Sequence, residues 1–277
     1  LQRISWQESL ARAAADLLLS VLGDRPPSDP ILVMKDPLPD VADVLKARGH
    51  VVSRWHRRAA PGRPASPWPV GEGFATVLLR ATKSREELRM DRHAAASVLE
   101  VGGALLVYGA KDEGIRAALG SARDAGEPFF SEPETLGVGG RCRVLAAGRT
   151  EENHGLRGAL SDWREVVTLD HPRLPQPWVS YPGVFSHPRL DPASRLLVDC
   201  LPPLLSGGRV LDFGCGSGVL AAVARDLVPE GDVEALDVDA VALSIREMVV
   251  RGAPAIGVTA AYGAVLAARD RARSEGA

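Results

Sequence analysis

The chain has 277 residues, 33 Lys and Arg against 35 Asp and Glu, and a formal charge of −2. Its 45% hydrophobic and 25% charged residues exclude a disordered chain, and its length admits two domains of ordinary size. Cys142, Cys200 and Cys215 show no C-x-x-C spacing, and no apolar run approaches the ~18 residues that span a bilayer. The sequence therefore leads us to expect a cytoplasmic protein, reduced, with no metal and no membrane among its partners. Because it begins with Leu rather than Met, it is read as a fragment.

In chain order, residues 10–22 space their leucines and alanines as one amphipathic helix, with Arg12 and Asp16 interrupting any signal-peptide pattern. Residues 30–36 read as a strand between Pro-rich turns, and 40–50 as a helix stopped at Gly49. A short strand and a Pro/Gly loop follow. A strand at 74–82, a helix at 83–99, a strand at 102–114 entering a glycine turn, and a helix at 115–126 come next. A last strand at 141–150 closes the first unit. Strands alternating with helices predict a parallel α/β sheet over 1–150. Residues 151–180 read as an irregular connector, and a second unit occupies 181–277.

Residues 1–150 hold 21 Lys and Arg against 18 Asp and Glu, and residues 151–277 hold 12 against 17. Between Asp43 and Glu72 there is no acid, while Lys46, Arg48, Arg54, Arg57, Arg58 and Arg63 fall there, interleaved with Trp55 and His56. Such a stretch suits RNA, its cations neutralising phosphates and its aromatics stacking on an unpaired base; Lys46, Arg54, Arg57 and Arg58 are the candidate contacts. An ordinary solvated loop accounts for the same residues. His171 and His187 lie beside prolines without a recognisable acid or nucleophile partner and read as loop histidines.

The second unit carries the sharpest signal, VLDFGCGSG at 210–218, in which a strand ends, the chain bends through Gly214, Gly216 and Gly218, and a helix begins. Glycines are required where a side chain would strike a ligand lying across the helix N-terminus. The dinucleotide fingerprint would need a glycine where Val219 stands, so a nicotinamide or flavin is disfavoured. Asp212 at the strand tip suits a positive amino group. Asp237, ending the next apolar run 25 residues later, suits the two hydroxyls of a ribose. S-adenosyl-L-methionine has both features.

YPGVFSHPRLDPASRLL at 181–197, followed by VLDFGCGSGVLA at 210–221, resembles the catalytic half of the ribosomal RNA small-subunit methyltransferase C family. KSREELRMDRHAAASVLEVGGALLVYGAKDEGI at 83–115 is similar to the N-terminal unit of that family, a degenerate copy of the methyltransferase fold. The resemblance implies two tandem Rossmann-like methyltransferase units, the first degenerate and the second incomplete, with strands 4–7 missing. It implies an S-adenosylmethionine-dependent class I enzyme acting on the exocyclic N2 of a guanine, with ribosomal RNA or an assembling ribosomal subunit as partner. Phe185 and Ser186 would line the cofactor pocket, with Asp212, Gly214, Cys215, Gly216, Ser217, Gly218 and Asp237 around the ligand. The turn at 111–114 would replace the glycine loop in the degenerate copy, which is expected to hold no cofactor.

Members of that family use an Asn-Pro-Pro-aromatic turn whose acceptors aim the amine lone pair at the methyl group. The one asparagine here is Asn153, upstream of the glycine loop, so no catalytic residue is assigned and the chain is expected to be inactive as it stands. Tyr262 falls where an acid would meet the adenine amine. A strand at 210–213 without its fourth-strand neighbour would be an open edge, and self-association is expected. A non-catalytic pseudo-methyltransferase, binding RNA or the ribosome, is the alternative; a small-molecule methyltransferase ranks last.

Overall fold

A computed structural model of the chain describes residues 6–57, 66–115, 127–174, 177–201, 208–228 and 231–236. The chain divides into two units, Leu1–Trp163 and Arg164–Ala277.

In the first unit, α1 (Trp6–Asp24) precedes β1 (Ile31–Met34), α2 (Asp40–Ala47), β2 (Val52–Trp55), β3 (Phe74–Arg80), α3 (Arg85–Val98) and β4 (Leu99–Ala110). β5 (Glu134–Gly139) and β6 (Cys142–Gly148) complete a six-stranded sheet in the order β2-β1-β3-β4-β6-β5. Every residue of β1 and β3 is buried, as expected of strands covered on both faces. Alternation divides them between two cores. Ile31 and Val33 face Leu18, Val41 and Leu45 of α1 and α2, whereas Leu32 and Met34 face Leu88 and Ala95 of α3. Ser84 caps α3 by accepting the Glu87 amide, and Gly49 follows α2 at φ +93°, the left-handed stop read from the sequence.

The expectation of a wholly parallel sheet is corrected at its far edge. β1, β2, β3 and β4 are parallel, but β6 runs antiparallel to both β4 and β5. Only Gly140 and Arg141 separate Gly139 from its partner Cys142, and so short a connection can join only antiparallel strands. β5 escapes a propensity reading because its glycines serve packing. A Cβ on Gly137 would lie 2.6 Å from Val21 Cγ2, and one on Gly139 would lie 3.1 Å from Leu17 Cδ1. The expected helix at 115–126 lies outside the described residues except for Ile115, which is buried.

The stretch expected as a connector is structured at both ends. Arg149, buried, donates to the carbonyls of Ala96, Thr150 and Glu152 and to the side-chain oxygen of Asn153, stitching 150–153 against α3. Trp163 packs edge-on against His93. Glu165–Val167 (β7) and Trp178–Ser180 (β8) form an antiparallel hairpin in the second unit.

At the carboxyl ends of the parallel strands, the first unit is filled by its own charges. Lys35, buried and in a left-handed conformation (φ +60°), sends Nζ to Glu87 and, at 2.9 Å, to Asp91 on α3. Arg57, its guanidinium over the Trp55 and Trp68 rings, pairs with the other oxygen of Asp91. Arg80 at the tip of β3 grips Glu113, which also accepts the Ala110 amide.

Asp36 accepts the Leu38 amide and the Tyr108 hydroxyl. Burial pushes its carboxyl above the ordinary range, against the opposing pull of those two bonds and of the Arg80 and Arg54 charges. A raised native pKa favours the protonated form, so the stability tied to Asp36 is full below about pH 3.9 and falls as pH rises through the native pKa. Asp36→Asn removes this dependence. Urea unfolding across the acid range should show the variant gaining on the wild type as pH rises.

Candidate functional site

The second unit is built around one parallel crossover. β9 (Arg209–Phe213) leads through the glycine bend into α5 (Val219–Leu227), which returns to β10 (Asp232–Leu236) beside β9. Val219, Val223 and Leu227 of α5 pack on Val198 of α4 (Pro192–Cys200) and on Leu169 and Leu174. α4 is started by Asp191, whose carboxylate accepts the Ser194 amide, with Pro192 in the first turn.

Gly214, Gly216 and Gly218 all hold positive φ, at 84°, 53° and 80°. At Gly218, the cap of α5, a side chain would cost about 1–2 kcal/mol in this left-handed region. At Gly216 a Cβ would lie 3.7 Å from the Cβ of Phe185, an ordinary van der Waals contact, so the left-handed backbone rather than lack of space favours glycine there. This contact brings the segment at 181–188 against the glycine bend, two stretches 31 residues apart in the chain. Phe185 itself is 66% exposed, so its ring is not consumed by the core. Ser186 beside it is held at φ +62°.

Asp212 is buried, and its Oδ2 accepts the Ala221 amide at 2.9 Å. Sequence reasoning gave it a ligand's amino group; the structure adds the first turn of α5, whose positive dipole end favours a carboxylate. Cys215 and Ser217 are half-buried within the bend, where the Cys215 carbonyl accepts the Gly218 amide at 2.7 Å. Asp237, one residue beyond β10, and Tyr262 lie outside the described residues. Among the described residues β9 pairs only with β10.

His171 and His187, both buried, have the acid partners that the sequence did not reveal. His171 Nδ1 accepts the Arg173 amide, so its Nε2 carries the proton that meets Asp199 at 2.9 Å. Arg173 in turn donates to the Val198 and Leu201 carbonyls at the end of α4. These bonds fasten the loop at 169–174 to α4. The Asp199 partner lies 28 residues from its histidine and has no motif spacing.

The basic stretch in the first unit is not one surface. Lys46 is exposed on α2, while Arg54 on β2 is half-buried and donates to the Leu38 carbonyl at 3.1 Å. Arg57, another of the candidate RNA contacts, is half-buried, its guanidinium paired with buried Asp91 and stacked on two tryptophans. Arg58 lies outside the described residues. Among the described residues no helix is long and apolar enough to cross a membrane, and no group of three His, Cys, Asp or Glu side chains could hold a metal ion.

The sequence model of the methyltransferase small domain matches residues 177–269, the segment that contains this site. Ribosomal RNA small subunit methyltransferase C of Shewanella sediminis (strain HAW-EB3) is 33% identical over 175 residues, 63% of this chain and 49% of its own length. The protein of that name from Pseudomonas putida (strain W619) is 36% identical over 175 residues, again 63% of this chain and 50% of its own. The chain is similar to these proteins over about two thirds of its length. It spans about half the length of the curated relatives it matches. Its α/β fold, mixed sheet included, is shared with the T. thermophilus 16S rRNA N2 G1207 methyltransferase solved with AdoMet and guanosine. That match has a TM-score of 0.60 at 22% identity and covers 85% of this chain and 65% of the other.

Proposed function

We propose that this chain is part of an S-adenosylmethionine-dependent methyltransferase that modifies the exocyclic N2 of a guanine in ribosomal RNA, in the cytoplasm. The observation that carries the reading is the glycine bend of 214–218, three left-handed positions bordered by Phe185 and closed from behind by Asp212. A bend stripped of side chains at the start of a helix leaves room for a ligand at the strand tip. The residues present therefore fit the cofactor: the bend and Ser217 to receive its amino-acid end, Phe185 and Ser186 to border it, and Asp237 to meet the ribose. When bound, the cofactor supplies the methyl group. The contribution of this chain is positioning and exclusion of water.

The first unit is, in this reading, a degenerate copy of the same fold. β1 lies between β2 and β3, and the crevice of an open α/β sheet opens at the carboxyl end of the strand where the order reverses. The counterpart of the glycine bend is then the turn at 35–39 after β1, rather than the turn at 111–114 after β4. Lys35, Glu87 and Asp91 fill that crevice with an ion-pair network. RNA contact through Lys46 and Arg54 belongs to this unit. The domain limits we favour remain 1–150 and 181–277 with a connector between them.

Calorimetric titration with S-adenosylhomocysteine tests the cofactor reading directly. The wild-type chain should give saturable heat at one site. Gly216→Val should abolish it, because a β-branched side chain is strained on this left-handed backbone and fills the space that the bend leaves for the ligand. No heat from a wild-type chain that melts cooperatively would overturn the reading.

A further inference from the structure

The segment bearing Phe185 and Ser186 is a run of tight turns with little core of its own. Val184 donates to the Tyr181 carbonyl, His187 to Val184 and Arg189 to Ser186, at 3.2, 3.0 and 2.7 Å. Such a run needs an anchor to hold one conformation. Glu165 and Ser180 are directly opposed across the β7–β8 hairpin, and both meet the imidazole of His187. Ser180 Oγ is hydrogen-bonded to Nδ1 at 2.8 Å, whereas Glu165 Oε2 lies 3.5 Å from Nε2, an electrostatic neighbour without hydrogen-bond geometry. The His187 side chain is 3% exposed, whereas that of Glu165 is 45% exposed.

A carboxylate facing Nε2 favours the tautomer with its proton there, which leaves Nδ1 to accept the Ser180 hydroxyl. The Ser180 hydroxyl thus orients the imidazole, with the Glu165 carboxylate near its other nitrogen. The residue it orients follows Ser186, and Phe185 meets the glycine bend one position earlier. The three groups are a serine, a histidine and an acid, yet the hydroxyl is buried and bonded to Nδ1 behind the segment. Nothing there resembles a nucleophile presented to a substrate.

We propose that His187, held by Ser180 and Glu165, is a positioning residue that fixes the 181–189 segment so that Phe185 and Ser186 border the glycine bend. The proposal rests on the cofactor reading for its functional consequence, but the anchoring itself does not need a ligand.

Two measurements on the full chain separate these. His187→Leu removes the acceptor, Ser180→Ala removes the donor, and His187→Asn keeps an acceptor oxygen at the position of Nδ1. Amide hydrogen exchange at Val184, His187 (Leu or Asn in the variants) and Arg189 should quicken about tenfold in His187→Leu and in Ser180→Ala. It should stay near the wild-type rate in His187→Asn. Affinity for S-adenosylhomocysteine should follow the same pattern, about tenfold weaker in the first two and restored in the third, with the melting of the glycine-bend unit little changed. Wild-type exchange rates in both His187→Leu and Ser180→Ala would overturn the anchor, as would failure of His187→Asn to rescue while Ser180→Ala behaves as wild type. An absence of wild-type binding to S-adenosylhomocysteine would overturn the cofactor reading alone, and the exchange rates would still decide the anchor.

Discussion

Asp91→Ala should destabilise the first unit by about 3–5 kcal/mol, the range for removing one partner of a buried ion pair. Asp91 is fully buried, with Lys35 on one oxygen and Arg57 on the other, and both cations are themselves largely withdrawn from solvent. Alanine would leave two cations in place with their anion gone. Glu87, still beside Lys35 and 18% exposed, offsets part of the loss for that cation but not for Arg57. Urea unfolding followed by tryptophan fluorescence measures this, since Trp55 and Trp68 flank the Arg57 guanidinium. A loss below about 1 kcal/mol would mean that the cluster is solvated and its pairing incidental.

The second large effect concerns Asp212. Alanine removes the acceptor of the Ala221 amide, worth about 0.5–2 kcal/mol as a helix cap, and also the charge at the strand tip. We expect Asp212→Ala to weaken S-adenosylhomocysteine binding about 100-fold, which is about 2.7 kcal/mol and within the range of a charge-assisted hydrogen bond. Asp212→Asn separates the two roles, because an amide oxygen still caps α5 while the negative charge is gone. If the carboxylate meets the ligand's ammonium, Asp212→Asn melts like the wild type and binds as poorly as alanine. Wild-type affinity in Asp212→Asn would reduce Asp212 to a helix cap.

The parts of the fold legible in the sequence are those where local and tertiary demands agree. ILVM of β1 and FATVLLR of β3 are continuous apolar runs between turns, and both are buried on two faces. Ser84 with Glu87 announces the start of α3, and Gly49 the stop of α2. β5 was illegible because ETLGVG has the composition of a turn. Its glycines answer to α1, more than a hundred residues away. β7 and β8 are three residues each, too short for any period to show.

The site divides in the same way. The glycine bend is a local necessity and stands out in the sequence. The approach of Phe185 to Gly216 joins separate segments and came only through a family resemblance. The pairing of Arg57 was invisible because the sequence displays a cation but not its partner, which sits 34 residues on in α3. The Ser180–His187–Glu165 group was missed for the matching reason: Glu165 reaches His187 by way of a hairpin that the sequence did not announce.

The seating of α1 on β5 bears on how the chain emerges during synthesis. Leu17 and Val21 of α1 pack against Gly137 and Gly139, so their site is completed only when about 120 further residues have been made. At about 5–20 residues per second Leu17 and Val21 wait on the order of ten seconds for their partners, although Leu18 can already meet Ile31 and Val41. During that interval this edge of α1 is open to whatever chaperone stands at the tunnel exit, and the first unit is complete only once β5 has been made.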